Sequence, residues 1–197
     1  MSVAIAYETH STTVDNERGI ATGWLPGELS ALGRMQARAL GERRSRDGLH
    51  AVFTSDLSRA VETARIASFP SALPIFEDPR LRECNYGELN GRPVAEVAAC
   101  RLECVRIPFP KGESYSDVVN RTRDFLADLA KGWGGKRVLL IAHLANRWAL
   151  DHLLNGDRLE GAGNTNYQPA DPGGSRTFLN PEGHTPNQYR PPAPYFS

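Results

Sequence analysis

The chain has 197 residues, which is enough for one domain with a sizeable core. Its 23 basic and 23 acidic side chains cancel, so the composition gives no reason to expect a nucleic-acid or membrane-surface partner. No apolar run approaches the length of a membrane span, and the N-terminus lacks a signal-peptide pattern, so we expect a cytoplasmic protein.

The chain contains three cysteines, Cys84, Cys100 and Cys104. An odd number of cysteines in a chain without a signal pattern indicates reduced thiols rather than a disulfide framework. Cys100 and Cys104 are four residues apart and could share a helix face, but no further ligands stand at zinc-site spacing. We therefore expect inert thiols and no bound metal.

The first third of the chain alternates strand and helix patterns. Residues 3–7 form a short apolar run with β-branched members, which predicts a buried strand, and the run breaks into a polar loop that contains His10. Ser30 is placed to cap a helix that reaches about residue 44. The apolar residues that we expect on the buried side of this helix are Leu32, Met35, Ala39 and Leu40. The basic residues 43–46 indicate a solvated helix end.

The next elements repeat the alternation. Residues 50–54 predict a second strand, followed by a helix over residues 57–68 with Arg59 in its first turn. A helix N-terminus has free N–H groups and a positive dipole end, so an arginine there completes an anion site. A third strand is predicted at residues 73–76. Residues 81–92 lack a clean periodicity and indicate a functional loop.

The remaining elements favour a parallel sheet. We predict a helix over residues 93–105 and another from a capping-box pattern at Ser114 to about residue 132. The apolar run 138–142 then ends in His143 and leads into a helix over residues 145–154. Strands that alternate with helices predict an α/β fold, a three-layer α/β/α arrangement around a mainly parallel, doubly wound sheet.

We expect one catalytic domain at residues 1–155. Residues 156–197 are rich in Gly, Pro and Asn, and this composition predicts an irregular tail that cannot fold alone. Residues 175–179 are the strand-like piece of that tail.

Two histidines, each directly after a buried strand, are the candidates for the active site. In open α/β sheets, ligands bind at the carboxyl ends of the strands, so His10 and His143 should meet there with the helix start that carries Arg59. A neutral imidazole can attack phosphorus, and a second imidazole plus a guanidinium can bind phosphoryl oxygens. Glu83 in its loop could then protonate a departing alkoxide. This chemistry needs no metal and no cofactor.

These residues carry a resemblance to a known family. The segment 10–16 (HSTTVDN), the turn Thr22-Gly23-Trp24 and the run 29–33 (LSALG) resemble the opening of the histidine phosphatase superfamily, the phosphoglycerate mutase-like proteins. Residues 53–64 look like its S-x-L-x-R-A-x-x-T-A segment. Residues 81–91 and the Gly112-Glu113-Ser114 motif are similar to its later motifs, and the order is kept from about residue 3 to 155.

The resemblance implies a phosphoglycerate mutase-like fold and a phosphomonoesterase that hydrolyses a small phosphorylated metabolite through a phosphohistidine. It implies that His10 is the nucleophile, that His143 and Arg59 bind phosphate, and that Glu83 is first a proton donor and then a base. The substrate-binding positions are occupied by Thr9, Ser11, Asn16, Thr22, Gly23 and Leu144. The chain is expected to bind a small phosphorylated substrate, and a homodimer is a possible assembly.

Three positions depart from the family pattern. Thr9 stands where the family has an arginine, Ser11 replaces a glycine, and Leu144 replaces the glycine after the second histidine. Either another cation compensates for Thr9, with Arg18 and Arg147 the nearest candidates, or activity on simple esters is weak. We expect that one of these two arginines compensates.

The alternatives to a hydrolase are a mutase-type phosphotransferase and a silent member that binds a phosphorylated ligand or a protein partner. The short stretch 84–112 leaves little room for a mutase insertion.

Overall fold

The computed structural model describes residues 2–68 and 71–161. The strands of the described residues are β1 (Ala4–Thr9), β2 (Ile20–Ala21), β3 (Ala51–Thr54), β4 (Ile75–Glu77), β5 (Arg92–Pro93) and β6 (Arg137–Ala142). The α-helices are α1 (Val14–Glu17), α2 (Ala31–Arg44), α3 (Ser58–Ser68), α4 (Val94–Cys100), α5 (Tyr115–Gly132) and α6 (Leu144–Asn155). The tail piece predicted at residues 175–179 lies outside the described residues.

A four-stranded parallel sheet forms the middle layer, with strand order β1-β6-β3-β4. Its buried strands are near-continuous apolar runs because both faces are covered. Phe125 and Leu129 of α5 and Leu150 of α6 cover one face, where Ile5 and Tyr7 of β1 are buried. On the other face Ala6 packs with residues of α2 and α3. The predicted three-layer α/β/α fold is confirmed.

The sequence missed three small elements, α1, β2 and β5. Thr13 and Asn16 cap α1 reciprocally: the Asn16 amide N–H donates to Thr13 Oγ1, and the Thr13 amide N–H donates to Asn16 Oδ1, each at 3.0 Å. The strands β2 and β5 pair antiparallel and have two residues each. Elements this short show no hydrophobic period, so the sequence pattern could not indicate them.

The buried face of α2 is not the one that its large apolar residues suggest. Leu32 and Met35 are 51% and 64% exposed, whereas Gly33, Ala37, Leu40 and Gly41 are buried. A Cβ atom built on Gly33 would lie 1.9 Å from the Thr12 carbonyl oxygen, and one on Gly41 would lie 2.4 Å from the Ala67 carbonyl oxygen. Close backbone approach therefore selects a face of small residues, and the predicted orientation of Leu32, Met35 and Ala39 is wrong.

The basic C-terminal end of α2 is not fully exposed to solvent, although its sequence indicates a solvated helix end. Arg44 is buried, and its Nε donates to Glu8 Oε1 at 2.9 Å, while Arg43 Nη2 donates to the same oxygen at 3.0 Å. Arg44 also pairs with Asp47 at 2.9 Å. Glu8 on β1 is thus a partner of α2, and the guanidinium groups satisfy its buried carboxylate.

The helix α5 begins as its capping box predicts. Ser114 Oγ accepts the Asp117 amide N–H at 3.2 Å, and Asp117 Oδ2 accepts the Ser114 amide N–H at 2.8 Å.

Among residues 2–68 and 71–161, no helix has the length and apolar character needed to cross a lipid bilayer.

Candidate active site

The carboxyl ends of three neighbouring strands bring His10, His143 and Ser55 together. They follow β1, β6 and β3, which are adjacent in the sheet. The centres of the two imidazole rings are 5.1 Å apart, with the ring planes at 57°. His143 is fully buried, whereas His10 retains partial exposure. The two histidines predicted to meet at this edge therefore do so.

Arg59 lies between the two imidazoles and determines which nitrogen of each ring carries the proton. Its Nε donates to His10 Nε2 at 3.3 Å, and its Nη2 lies 3.3 Å from His143 Nδ1. A guanidinium only donates, so both ring nitrogens must be unprotonated acceptors. The proton of His10 is then on Nδ1, which donates to the Ser11 carbonyl at 2.8 Å. The unprotonated Nε2 of His10 is therefore the nucleophilic position.

The position of the proton on His143 follows by the same argument. With Nδ1 unprotonated, His143 Nε2 carries the proton and donates to Ser55 Oγ at 2.7 Å. The Ser55 hydroxyl oxygen also accepts the Leu57 amide N–H at 3.3 Å, at the start of α3. The Tyr7 hydroxyl donates to the His143 carbonyl. Buried partners on both sides therefore hold the ring in one orientation.

Backbone carbonyls of the turn after β2 orient the guanidinium. Arg59 Nη2 donates to the Gly23 carbonyl at 2.8 Å, and Nη1 lies 3.5 Å from the Leu25 carbonyl. Gly23 has φ +56°, and a Cβ atom there would lie 1.8 Å from Asn90 Oδ1. Both the left-handed backbone and the lack of space require glycine at this position. Gly23 thus contributes a carbonyl that aims Arg59.

Burial and the nearby positive charge keep both imidazoles neutral. Burial, reinforced by the Arg59 charge, lowers the pKa of His10 to about 3. Burial also lowers the pKa of His143 far below its ordinary range, with Arg59, His10 and Arg121 acting in the same direction. The lone pair that attack requires is therefore available throughout the neutral pH range.

Glu83 is held against the first turn of α6. Its Oε1 accepts two backbone amides, from Cys84 at 2.7 Å and from Ala145 at 3.3 Å. Within residues 2–68 and 71–161, Glu83 Oε2 has no hydrogen bond, so it is the oxygen left to carry a proton. Burial raises the pKa of Glu83, although the two amides, Arg59 and Arg121 act in the opposite direction. The environment suits a carboxyl group that donates a proton.

The other predicted substrate-binding residues lie around this centre in different ways. Thr9 ends β1 opposite Ala142, and the Ser11 amide N–H donates to Thr63 Oγ1 at 3.1 Å. The Thr22 hydroxyl donates to Asp15 Oδ2 at 2.8 Å. Asn16 uses its side-chain oxygen to cap α1, and Leu144 is the half-buried first residue of α6. Their contacts with a substrate stay predictions.

The two candidate replacement arginines lie elsewhere. Arg18 ends α1 and is exposed. Arg147 lies one helical turn beyond His143, where its charge acts on the Tyr7 hydroxyl and opposes the rise in the pKa of that group. Within the described part of the chain, neither guanidinium has a hydrogen bond or an ion pair with His10, Arg59 or His143.

Ser55, Tyr7 and Arg121 are site residues that sequence reasoning missed. Ser55 directly follows β3, the same position that singled out His10 and His143, so its place at a strand end was an available signal. Nothing in the local sequence indicates the contacts of Tyr7 and Arg121, because these residues meet segments far away in the chain.

No group of three or more His, Cys, Asp or Glu side chains that could hold a metal ion occurs among residues 2–68 and 71–161. The three cysteines are free, and burial raises the pKa of the Cys84 thiol strongly. The thiol next to Glu83 therefore stays protonated and unreactive.

Comparison with known proteins identifies the class to which this fold and site belong. The model of the histidine phosphatase superfamily (branch 1) matches residues 9–171. The chain belongs to this superfamily, and it is a phosphoric monoester hydrolase.

Individual relatives carry phosphatase and mutase names. A putative phosphoserine phosphatase 2 from Hydrogenobacter thermophilus is 30% identical over 169 residues, covering 82% of this chain and 83% of that protein. A probable phosphoglycerate mutase GpmB from Yersinia enterocolitica is 32% identical over 142 residues, covering 68% of this chain and 66% of its own length. The solved structure of a mycobacterial glucosyl-3-phosphoglycerate phosphatase is similar with a TM-score of 0.73 at 30% identity, covering 83% of this chain and 84% of that one.

Proposed function

We propose that this protein is a metal-independent phosphomonoesterase that transfers the phosphoryl group of a small metabolite to His10 and then to water. The observation that carries the proposal is the tautomer of His10. Its Nδ1 proton is engaged by the Ser11 carbonyl, and its unprotonated Nε2 is held beside the guanidinium of Arg59. A neutral nucleophile next to a fixed cation is the arrangement that phosphoryl transfer to nitrogen requires.

In the first step, the His10 Nε2 lone pair forms a bond to phosphorus, and the bond between phosphorus and the ester oxygen breaks. The Arg59 guanidinium stabilises the charge on the phosphoryl oxygens, and His143 Nδ1, which lies 3.3 Å from Arg59 Nη2, holds that guanidinium in place. The departing oxygen takes the proton from Glu83 Oε2. An alkoxide is a poor leaving group, so this proton transfer lowers the barrier most for alkyl esters.

In the second step, the Glu83 carboxylate takes a proton from water, and the water oxygen attacks the phosphohistidine. The bond between phosphorus and nitrogen breaks, the lone pair returns to His10 Nε2, and inorganic phosphate leaves. Glu83 is protonated again at the end of the cycle. One carboxyl group thus acts as acid and then as base.

The substrate is a small phosphorylated molecule in this proposal. Relatives named for phosphoserine and for glucosyl-3-phosphoglycerate support a phosphate ester of a small hydroxylated or carboxylated compound. The stretch 84–112 favours a hydrolase over a mutase, since it holds only the two-residue strand β5, the short helix α4 and 3-10 turns. The cytoplasmic location and the homodimer stay predictions from the sequence.

A panel of phosphometabolites, assayed by release of inorganic phosphate with and without EDTA, tests the proposal. We expect turnover of at least one small monoester, the same rate in EDTA, and no measurable turnover by His10→Ala. Loss of the wild-type rate in EDTA would contradict a metal-independent reaction. Retention of more than a few per cent of the rate in His10→Ala would exclude His10 as the nucleophile.

A further inference from the structure

The backbone of Glu83 is anchored as firmly as its carboxyl group. Its carbonyl oxygen accepts two side-chain donors, Trp24 Nε1 at 2.7 Å and Arg121 Nη2 at 2.9 Å. The first donor comes from the turn after β2, and the second comes from α5. Glu83 is therefore tied to two elements that do not themselves touch the reacting atoms in the proposed mechanism.

Arg121 joins the Glu83 loop to its surroundings through all three nitrogens of its guanidinium. Nη1 donates to the Arg80 carbonyl at 2.7 Å, Nε donates to Glu113 Oε1 at 3.1 Å, and Nη2 also lies 3.2 Å from Glu113 Oε2. The side chains of Arg121 and Glu113 are only 15% and 20% exposed. A planar guanidinium holds its donors in a rigid fork, so the relative positions of these groups are fixed.

Glu113 completes the connection on the other side of Glu83. Its Oε2 accepts the Asn85 amide N–H at 2.9 Å, and its own amide N–H donates to the Asn85 carbonyl at 2.8 Å. Arg121 and Glu113 together therefore contact the chain at Arg80, Glu83 and Asn85. The segment that presents the carboxyl group is held on both sides of that group.

We propose that Arg121, oriented by Glu113, is a positioning residue that keeps the Glu83 carboxyl group within reach of the departing oxygen. The inference rests on the proposed function, in which Glu83 is the proton donor. A displacement of about 1 Å at a reacting group can cost about 100-fold in rate. Loss of Arg121 would free the Arg80 carbonyl and leave the Glu83 carbonyl with Trp24 Nε1 as its remaining side-chain donor, so the loop could shift by such a distance.

The test compares two substrates in Arg121→Ala. For an alkyl phosphate, whose leaving group needs a proton, we expect kcat/KM to fall by about 10- to 100-fold. For an aryl phosphate, whose leaving group departs without a proton, we expect a fall of less than about threefold. The value of kcat/KM is used because it reports the steps up to the first phosphoryl transfer and not the later attack by water. Arg121→Lys should restore part of the alkyl rate, because an ammonium can still donate to one carbonyl.

Arg123→Ala is the matched control, because Arg123 is on the same helix, and its hydrogen bond to Asn120 Oδ1 is exposed. We expect this variant to retain the wild-type rates on both substrates. If Arg121→Ala does not fold, Glu113→Gln takes its place, because it removes the charge that orients Arg121. In Glu113→Gln, kcat/KM should again fall more for the alkyl ester than for the aryl ester, but by a smaller factor. Equal losses on both esters in the folded variants would overturn the proposal.

Glu83→Gln separates failure of this inference from failure of the proposed function. It should slow the alkyl ester far more than the aryl ester in kcat/KM. If it does so while Arg121→Ala and Glu113→Gln do not, the positioning role is wrong and the acid assignment stands. If Glu83→Gln slows both esters equally, Glu83 is not the acid, and the positioning proposal falls with that assignment.

Discussion

At the scale of single residues, the site depends on one guanidinium that serves two imidazoles. Arg59 is buried, donates to ring nitrogens of His10 and His143, and is aimed by the Gly23 carbonyl. It remains protonated because arginine does not lose its proton in proteins, even though burial lowers its pKa. The cation that acts together with burial to keep both histidines neutral is therefore also the cation that would bind the phosphoryl oxygens.

Thr9 leaves this pocket with less positive charge than the family pattern. In the described residues, neither the Arg18 nor the Arg147 guanidinium has a hydrogen bond or an ion pair with His10, Arg59 or His143, so the contacts favour a weakened pocket over a compensated one. A hydrogen bond to a charged group is typically worth about 1.5–3 kcal/mol. We expect Thr9→Arg to raise kcat/KM on small phosphate esters by about 10- to 100-fold.

The control for Thr9→Arg is Arg147→Gln, measured on the same ester. If the pocket is weakened, Arg147→Gln should leave kcat and KM near their wild-type values. A rise in KM together with a fall in kcat in Arg147→Gln or Arg18→Gln, with no gain in Thr9→Arg, would show that one of these arginines does compensate.

At the scale of elements, the packing of α2 connects the fold to the His10 loop. Gly33 approaches the Thr12 carbonyl, and the Thr12 amide N–H donates to Gln36 Oε1 of the same helix at 3.0 Å. Gly41, two turns further along, approaches the Ala67 carbonyl of α3 instead. The first contact supports the loop that carries the nucleophile, and the second joins two helices away from it.

We therefore expect Gly33→Ala and Gly41→Ala to differ in activity but not in their effect on stability. Each places a Cβ where a backbone oxygen lies, so each should lower the free energy of unfolding by about 1–3 kcal/mol. Only Gly33→Ala should also lower kcat/KM, because it displaces the loop next to His10. Denaturant unfolding and steady-state kinetics on both variants check this, and an equal loss of activity in Gly41→Ala would contradict it. Gly132→Ala is the control, because apart from its chain neighbours and the backbone of its own helix no atom lies within 4 Å of the added Cβ.

At the scale of the whole molecule, the two neutral histidines make stability depend on pH. Their pKa values are lowered in the folded state, to about 3 for His10, whereas an unfolded histidine has a pKa of about 6.5. Below that value the unfolded chain binds protons that the folded chain does not, so stability falls as the pH falls. The raised pKa of Glu83 contributes to this pH dependence of stability with the opposite sign.

Comparison of the wild type with His10→Gln isolates the contribution of His10. Between about pH 7 and about pH 5, the wild type should lose about 1–2 kcal/mol more of its free energy of unfolding than the variant does. Denaturant unfolding at the two pH values measures the difference. Identical losses in both proteins would show that the pKa of His10 is the same in the folded and unfolded states, which would contradict a neutral, buried His10.

The sequence allowed the sheet, its terminal histidines and Arg59 to be predicted, because β-branched apolar runs and strand-end positions are local features. It did not allow the buried face of α2 to be predicted, because Gly33 and Gly41 are selected by backbone groups of other segments. The bond from Ser55 to His143 and the bond from Arg121 to Glu83 join residues 88 and 38 positions apart. Such pairings depend on the completed fold and leave no local pattern.

Trapping of the phosphoenzyme tests the central claim, that His10 is the covalent nucleophile, most directly. An aryl phosphate labelled in its phosphoryl group is mixed with Glu83→Gln, which should form the intermediate normally and break it down slowly because the base is missing. We predict acid-labile label that accumulates in this variant, maps to His10, is present at a lower level in the wild type, and is absent in the double variant with His10→Ala. Turnover without any label on the protein, or label on another residue, would contradict the account.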